Sequence, residues 1–583
     1  PAAYTDCSSV VCDKLIALWA NRAGDPAERT LEWFRHGAPA DIIVPMTNLD
    51  DLWERSEKGV VPTNPDELHT DVASYFNHPA VDDSPEIQKL ITEYKSKGYV
   101  NVFKVLSRAE AYVGGNLVLS KMLLIEKNKI DTTANEFINK VRAVLDLASS
   151  GVSEATQLRY RSELPKATDA VASALDLMND CKEGEDVEMI VADVQDAFWL
   201  MPNTRAERQF MATMVKQLII IFNRTAQGGR NASLSFCTLI ALAARCAQSL
   251  FYIDFGSNTR SAFILLLQVY VDDPWAVLKG DQQHRNFSTV TLMAAWMIMG
   301  LPMAFHKATR DVKLNWIGVT LILDAKNSQV KAEIREDKMA EIKYMTEEFL
   351  ETNVIGRTRL RTYVSKLQAM ASIMFALRPF LRDFGGAFYD KANLAPHNCV
   401  WVSQVALALQ WIASLLRLQY DGPLRRCFNL AAHMNLGAII HIATDASPWG
   451  LGSILCMDGW PSEFMIVPIT EYDQWYLDTW AGSHLGQQVW DAFIILIALR
   501  HWAWVWRHKR VSLTIKTDNM TALTMISVLK SSGPALGKIA REMALDLAHS
   551  EYAPDMVRHT PGVMNKTPDT LSRFFDPSFK FVF

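Results

Sequence analysis

Acidic residues directly follow two apolar runs that are typical of buried strands. Asp193 comes after the run 189–192, and Asp272 and Asp273 come after the run 265–271. Adjacent carboxylates at a buried strand end repel each other unless a cation lies between them. If the two strands lie side by side, Asp193 and Asp272 can bridge two Mg²⁺ ions about 3.5 to 4 Å apart, with Mn²⁺ as the other candidate. That arrangement catalyses phosphoryl transfer.

A second set of acidic residues lies in the last quarter of the chain. Its members are Asp445, Asp491, Asp518 and Asp569. Asp445 and Asp518 follow runs that alternate as strands, whereas Asp491 opens a helical run. Four carboxylates that converge from separate elements are unfavourable without cations, so we expect two Mg²⁺ ions here as well.

The apolar periodicity places these acids in domains that mix helices and strands. Between residues 96 and 325, an α+β region, the predicted strands are 143–147, 188–194, 209–214, 218–222, 265–271 and 314–323. Residues 332–385 instead show two amphipathic helical stripes, the first containing Ile334, Ile342, Met345 and Phe349. After residue 436, the predicted strands 438–444, 451–457 and 511–516 surround a helix near 488–506, which predicts an α/β domain.

Length and composition limit the class of protein. A chain of 583 residues, 49 % of them hydrophobic, predicts two to five domains. The net charge of -5 argues against a protein that coats nucleic acid by bulk charge, so binding must use local basic surface.

The eight scattered cysteines predict reduced thiols and an intracellular setting, without distinguishing a cytoplasmic particle from the nucleus. The apolar runs 263–271 and 493–499 are too short to span a membrane, and the start at Pro1 suggests part of a longer product.

The first carboxylate set resembles the active site of reverse transcriptases. Tyr270-Val271-Asp272-Asp273 is similar to their Y-x-D-D box, and Asp193 with Ala197-Phe198 to their D-x-x-x-A-F/Y box. Three further segments match in order: the glycine loop 227–233, the lysine segment 300–307 and the primer-gripping strand 315–318. The resemblance implies a right-hand polymerase of fingers, palm and thumb.

The resemblance also implies roles for individual residues. The catalytic residues implied are Asp193, Asp272, Asp273 and Lys307, with Asp193 and Asp272 as metal ligands. The nucleotide-binding residues implied are Arg142, Val194, Phe198, Gln227, Gly228 and Tyr270. The primer- and template-binding residues implied are Trp316, Gly318, Arg357, Arg359, Arg361 and Lys366. Phe198 would be a steric gate that excludes a 2′-hydroxyl or, alternatively, a core aromatic, and the thumb arginines would contact phosphates or form a solvated basic face.

The end of the chain resembles the H-x-P-G-x-x-N-x-x-x-D-x-L-S-R ending of retrotransposon ribonuclease H domains. The matching string runs from His559 to Arg573 and includes Asp569. It implies cleavage of an RNA phosphodiester by water, with Asp445, Asp491, Asp518 and Asp569 as metal ligands. His559 would help product leave from a mobile loop or be an ordinary surface histidine.

One ligand departs from this ribonuclease H pattern. The family has Glu where Asp491 stands, and the missing methylene draws the carboxylate back by about 1 to 1.5 Å, which would weaken cleavage. The alternative is that Asp491 is a helix N-terminal acid favoured by the helix dipole.

We therefore predict the reverse transcriptase and ribonuclease H region of a retrotransposon Pol polyprotein, LTR-type or DIRS-like. The predicted regions are 1–95 of unknown role, 96–325 fingers and palm, 326–395 thumb, 396–435 connection and 436–583 ribonuclease H-like. The partners implied are an RNA template, a DNA primer, an RNA:DNA hybrid and dNTPs, with no membrane and an open oligomeric state.

Two alternatives remain. The first is a domesticated scaffold or RNA-binding subunit with reduced or lost catalysis, which the acidic net charge favours together with Asp491, Ala148 and Ser233, three departures from the family pattern. The second is a template-independent or RNA-synthesising polymerase, which a small residue in place of Phe198 would favour.

Overall fold

The computed structural model describes residues 11–56, 62–131, 136–253, 262–389, 394–417, 424–507, 510–530, 533–548 and 557–580. The chain divides into two compact units. The first comprises Pro1–Pro165 and Asp180–Leu314, and the second Lys166–Asn179 and Asn315–Phe583. Both units mix helices and sheets, which confirms the predicted mixed class. The right-hand layout and the five predicted regions remain predictions.

The strands and helices are numbered along the chain. The strands are β1 Glu54–Arg55, β2 Val100–Phe103, β3 Lys121–Asp131, β4 Glu136–Asp146, β5 Tyr160–Arg161, β6 Asp186–Val191, β7 Ala212–Val215, β8 Leu218–Phe222, β9 Tyr252–Ile253, β10 Ala262–Phe263, β11 Leu265–Tyr270, β12 Asp273–Gly280, β13 Thr309–Asp311, β14 Lys313–Trp316, β15 Val319–Asp324, β16 Gln329–Ile334, β17 Val354–Gly356, β18 Cys399–Trp401, β19 Arg425–Asn429, β20 Ala438–Ala446, β21 Gly450–Met457, β22 Trp460–Pro468, β23 Val511–Thr517 and β24 Val557–His559. The helices are α1 Asp13–Ala23, α2 Trp33–His36, α3 Pro79–Asp82, α4 Pro85–Ser96, α5 Leu106–Val113, α6 Val152–Ala155, α7 Ala167–Asn179, α8 Ala232–Ser249, α9 Gln282–Ile298, α10 Glu336–Leu350, α11 Arg357–Ala371, α12 Leu381–Tyr389, α13 Ala406–Arg417, α14 Leu430–His433, α15 Glu471–Leu477, α16 Gln487–His501, α17 Ala503–Trp506, α18 Met520–Val528, α19 Pro534–Ala548 and α20 Lys566–Ser572.

The main sheet of the first unit is antiparallel, with strand order β11-β12-β6-β13. Helices α8 and α9 pack against it, and α1 packs on α8, so that one core joins the sheet to the start of the described chain. Because α8 is surrounded by this core, it is apolar on nearly every side. Among the described helices, α8 alone is long and apolar enough to cross a membrane, and 72 % of it is buried.

A buried carboxylate fixes the segment 38–44 to the first unit. Glu207 is fully buried, and its two oxygens accept backbone N–H groups of Ala40, Ile42, Ile43 and Val44 at 2.6 to 3.0 Å. Burial raises the pKa of Glu207, and these four hydrogen bonds counteract it. The carboxylate therefore supplies acceptors for four backbone N–H groups of this segment, among them that of the buried Ile42.

Replacing Glu207 by Gln should destabilise the first unit by about 2 kcal/mol. The amide would place an NH₂ group against one backbone N–H, and the remaining oxygen would lose its charge. Urea unfolding measures the loss, and Glu183→Gln, at an exposed position of the same unit, should change nothing. Equal stability of both variants would contradict the role of Glu207.

The second unit contains two larger sheets. The antiparallel sheet β14-β15-β16-β19 is contacted by α7, and helices α10, α11 and α13 pack together. The other sheet has the order β22-β21-β20-β23-β24, in which β20 pairs antiparallel with β21 and parallel with β23. Helices α16, α18 and α19 share the apolar core of this sheet. Helix α20 approaches β21 so closely that a Cβ on Gly452 would lie 2.5 Å from the Pro568 carbonyl oxygen.

Several predicted elements differ from the structure. The strand predicted at 314–323 is two strands, β14 and β15, because Ile317 and Gly318 form a turn with positive φ. The first half of the strand predicted at 209–214 is wrong, since the residues up to Phe210 form a 3₁₀ helix and β7 starts at Ala212. The helical placement of Ile334 is also wrong, because it ends β16. The helix predicted near 488–506 is divided into α16 and α17. The described cysteines have free thiols in the structure, and the reduced intracellular setting stays a prediction.

Candidate active sites

The first carboxylate set lies where β6 ends and where β11 turns into β12. Asp272 is in the tight turn of that hairpin, in which Tyr270 pairs with Asp273. The Val194 N–H donates to the Asp272 carbonyl oxygen at 2.9 Å, which holds the turn against the chain leaving β6. The two strands do not lie side by side, the condition set for Asp193 and Asp272 to bridge metal ions, because β12 lies between them. Asp193 and Asp272 nevertheless meet, because Asp272 belongs to the turn.

Positive charges flank this pair of acids. Lys307 forms an ion pair with the carboxylate of Asp193. Burial raises the pKa of Asp272, the charge of Asp193 raises it further, and Arg142 and Lys307 lower it. Lys307 therefore lies close to both carboxylates, and Arg142, which lies on β4, lies close enough to act on Asp272.

The hairpin turn is strained. Val271 has φ of 55°, a conformation that a β-branched residue rarely adopts. The neighbouring Tyr270 is 36 % exposed, whereas Asp272 and Asp273 are half-buried. Two-residue hairpin loops commonly need positive φ, so the unusual feature of this turn is a β-branched residue at that position beside two acids.

The residues predicted to bind nucleotide all lie in the first unit. Val194 is buried, and Phe198 lies half-buried in a 3₁₀ turn with its ring 5.8 Å from that of Phe236. The Gln227 carbonyl oxygen accepts the Leu145 N–H at 2.9 Å. Gly228 has φ of 112°, and a Cβ there would lie 2.0 Å from the Leu145 carbonyl oxygen. The glycine loop thus packs on the end of β4, the strand that carries Arg142.

The residues predicted to contact primer and template lie in the second unit, and most have other partners. Trp316 is 2 % exposed, and Gly318 lies in the exposed turn after it. Arg359 pairs with Glu348 and Lys366 with Glu341. Arg361 lies over the ring of Phe388, and Arg357 is half-buried with its Nε directed to the Cys399 carbonyl oxygen. Their predicted contacts with nucleic acid remain predictions.

The second carboxylate set is brought together more closely. Asp445 is the last residue but one of β20 and Asp518 follows β23, and these strands are parallel, so both acids lie at the same sheet edge. Asp491 reaches the edge from α16. One carboxylate oxygen from each of the three lies within 4.8 Å of the others. In the described parts of the chain no other group of three or more carboxylates, thiols or imidazoles comes within this distance. The first carboxylate set is therefore more widely spaced.

Burial and mutual repulsion act strongly on two of these acids. Asp445 is 7 % exposed and Asp491 is 3 % exposed. Burial, followed by the charges of Asp491, Asp518 and Asp569, raises the pKa of Asp445 to about 8, although the Ser572 hydroxyl donates to it at 2.9 Å. Burial and the charge of Asp518 raise the pKa of Asp491 to about 7.

Asp491 is not a helix N-terminal acid. It is the fifth residue of α16, whose first turn contains no acid, so the alternative based on the helix dipole is wrong. Its Oδ1 accepts the Ala446 N–H at 3.0 Å, and its Oδ2 accepts the Asn519 side-chain amide at 2.8 Å. Both oxygens are therefore held at the sheet edge.

The remaining predicted residues lie at the rim of this site. Asp569 is on α20, partly exposed, and pairs with Arg573 at 2.8 Å, so it acts on Asp445 by charge without joining the close group of three. His559 is the exposed last residue of β24. A Cβ on Gly562 would lie 3.1 Å from Asp518 Oδ2, which places the segment after His559 against the carboxylates.

The chain resembles foamy viral protease-reverse transcriptases in its structure. One such structure, in complex with double-stranded DNA, is 13 % identical over 96 % of this chain and 98 % of that chain, with a TM-score of 0.42. Another, in complex with an RNA/DNA hybrid, is 13 % identical over 94 % of this chain and 62 % of that chain, also with a TM-score of 0.42. A third, the dRH form in complex with double-stranded DNA, is 12 % identical over 94 % of this chain and 81 % of that chain, with a TM-score of 0.44. No protein-family profile and no curated protein matches the sequence.

The three converging carboxylates fit a hard divalent cation. Mg²⁺ and Mn²⁺ prefer oxygen ligands, and the close group offers only carboxylate oxygens. Its two buried acids carry raised pKa values, so a cation between them would remove repulsion that the protein otherwise bears.

Several polar residues of this site were not predicted as site residues. Ser572 and Asn565 donate to Asp445, and Asn519 and Gln487 lie against Asp491. The motif from His559 to Arg573 contains Asn565 and Ser572, so their place in that string was the available signal. Gln487 had no signal beyond lying one helical turn before Asp491.

Proposed function

We propose that this chain is an RNA-directed DNA polymerase that also cleaves the RNA strand of RNA:DNA hybrids, each activity using two Mg²⁺ or Mn²⁺ ions. The observation that carries the proposal is the occurrence of two separate carboxylate centres, Asp193 with Asp272 in the first unit and Asp445 with Asp491 and Asp518 in the second. One chain with two such centres suits synthesis of a strand and removal of its template.

In the proposed polymerase site, Asp193 and Asp272 supply the metal ligands. Bound ions would activate the primer 3′-hydroxyl and stabilise the leaving pyrophosphate. Arg142 and Lys307, which already act on these acids, supply positive charge for the triphosphate. We propose the remaining predicted residues, Asp273, Val194, Phe198, Gln227, Gly228 and Tyr270, as the walls of the nucleotide site.

In the proposed nuclease site, Asp445, Asp491, Asp518 and Asp569 hold the ions. Bound ions would lower the pKa of the attacking water and stabilise the charge that develops on the phosphate. The Ser572 hydroxyl and the Asn565 amide orient Asp445 through hydrogen bonds. The segment that begins at His559 lies against Asp518, where it would contact the departing product.

The strand order of the second unit supports a ribonuclease H-like domain. Three antiparallel strands are followed by two parallel ones, and the acids lie at the carboxyl ends of β20 and β23. We propose a fingers, palm and thumb arrangement for the preceding chain, and a retrotransposon Pol polyprotein, LTR-type or DIRS-like, as its source.

A wild-type assay tests the proposal directly. With Mg²⁺, poly(rA), oligo(dT) and dTTP, the chain should extend the primer, and Asp272→Asn/Asp273→Asn should not. With an RNA:DNA hybrid it should cleave the RNA, and Asp445→Asn should not. A folded wild-type chain that performs neither reaction would exclude the enzyme and favour a domesticated scaffold that binds RNA.

Substitution of Phe198 by Val should admit ribonucleotides. The half-buried ring of Phe198 is proposed to meet the 2′-carbon of the sugar, so a smaller side chain would lower the preference for dTTP over UTP by roughly a hundredfold. The measurement is the ratio of kcat/KM for the two nucleotides. Phe236→Leu, which changes a fully buried neighbour without opening the gate, should keep the ratio. An unchanged ratio in Phe198→Val would make Phe198 a core aromatic only.

A further inference from the structure

The proposed nuclease site has a short ligand at Asp491, and two amides lie against it. Asp491 has one methylene fewer than the Glu of the family pattern, yet one of its oxygens lies within 4.8 Å of an oxygen of Asp445 and of Asp518. Its Oδ2 accepts the Asn519 amide at 2.8 Å, and Gln487 Nε2 lies 3.4 Å from the same oxygen. The short side chain of Asp491 therefore reaches the other two carboxylates while the amides of Asn519 and Gln487 contact it.

Asn519 is itself fixed in orientation. Its Oδ1 accepts the N–H groups of Thr521 at 2.9 Å and Ala522 at 3.1 Å, which makes Asn519 the N-cap of α18. Because the oxygen is used by the helix, the amide Nδ2 must point away from the helix, and it donates to Asp491. The helix start thus aims one N–H donor at the carboxylate.

Gln487 is the second amide that contacts the Asp491 carboxylate. It lies one helical turn before Asp491 on α16, and its Nε2 donates to the Ala446 carbonyl oxygen while facing the carboxylate. The Ala446 N–H donates to Asp491 Oδ1 at 3.0 Å. The carboxylate is therefore bonded from β20, from α16 and from the start of α18.

We propose that Asn519, assisted by Gln487, is a positioning residue that holds the short carboxylate of Asp491 where it can bind metal. The inference rests on the proposed nuclease function. A longer Glu at 491 could not keep these bonds in a site that is 3 % exposed, since its carboxylate would be pushed toward Asp445 and Asp518. The family residue should therefore be worse than Asp in this chain unless Asn519 is also changed.

Asn519→Ser tests this, because Ser preserves the helix cap and removes only the amide donor. Second-layer substitutions typically cost 10- to 100-fold, so we expect Mn²⁺ affinity measured by calorimetry to fall about tenfold. The kcat for hybrid cleavage should fall with it at unchanged KM, and the variant should stay folded in EDTA with a melting temperature lowered only by the loss of one hydrogen bond. The control is Asn429→Ser, the same change at the N-cap of α14 in the same unit, which should alter none of these values.

The double variant is decisive. Asp491→Glu alone should bind Mn²⁺ more weakly than wild type, and Asp491→Glu with Asn519→Ser should regain affinity and kcat to within a few-fold of wild type. Wild-type affinity in Asn519→Ser, or stronger binding in Asp491→Glu alone, would overturn the inference. A wild-type chain that binds no Mn²⁺ and cleaves no hybrid would instead overturn the nuclease function on which the inference rests.

Discussion

Asp193→Asn should lower primer extension on an RNA template by at least about a thousandfold, which corresponds to roughly 4 kcal/mol of transition-state stabilisation. The amide keeps the size of the carboxylate and removes the negative charge that a metal ligand requires. It also leaves Lys307 without its ion-pair partner beside the turn that contains Asp272. The measurement is single-turnover incorporation of dTTP on poly(rA) with oligo(dT).

A matched control lies on the same strand. Asp186 begins β6 and Asp193 follows its end, so Asp186→Asn makes the same chemical change at the far end of the strand. It should extend primers as wild type does, and Asp193→Asn should still cleave hybrids, because its nuclease carboxylates are intact. Retention of a tenth of the activity by Asp193→Asn would mean that Asp193 binds no catalytic metal.

The sequence predicted that Asp193 and Asp272 come together only if their strands are neighbours, and the structure brings them together in another way. Continuous apolar runs predicted β6 and β11, although β11 is an edge strand whose residues are mostly half-buried. β12 was not predicted, since it starts with Asp273 and Pro274, residues that usually indicate a turn. The strand that separates β6 from β11 was therefore missed, and with it the fact that Asp272 reaches Asp193 from a hairpin turn.

The second site shows a different limit. The parallel strands that end at Asp445 and Asp518 could be predicted from alternation, and their shared edge follows from the direction of the strands. The supporting amides could not, because Asn519 and Gln487 act through orientation, which one hydrogen bond decides and no spacing rule encodes. The weakening of Asp491 as a metal ligand stays a prediction, and the structure adds that three donors contact its carboxylate.

Asp445→Asn should abolish hybrid cleavage and yet make the second unit more stable in a chelator. Loss of one ligand among converging carboxylates should reduce cleavage by about a thousandfold or more. Without metal, the buried charge of Asp445 opposes Asp491 and Asp518, so a neutral amide should raise stability by roughly 2 kcal/mol near pH 8. Cleavage of a labelled hybrid and thermal unfolding in EDTA measure the two effects.

The stability of the metal-free second unit should fall as pH rises. Asp445 has a folded-state pKa of about 8, well above the value of about 3.9 for an unfolded chain, so the folded state holds the extra proton between these values. Wild-type stability in EDTA should therefore fall as pH rises from about 4 to about 8, and Asp491, with a pKa of about 7, adds to the fall. In Asp445→Asn the slope should be shallower, because one titrating group is gone and the other has lost a charged neighbour.

Added Mg²⁺ should make the wild type more stable than Asp445→Asn, the reverse of their order in EDTA. The wild type gains stability from an ion that neutralises the cluster, by an amount set by ion concentration over the dissociation constant, whereas Asp445→Asn gains little. Asp458→Asn, an exposed acid of the same unit, should behave as wild type in EDTA and in Mg²⁺. If Asp445→Asn were instead less stable than wild type in EDTA at about pH 8, the carboxylate would be a structural hydrogen-bond acceptor for Ser572 and Asn565. A loss of cleavage in that variant would then reflect misfolding rather than the loss of a ligand.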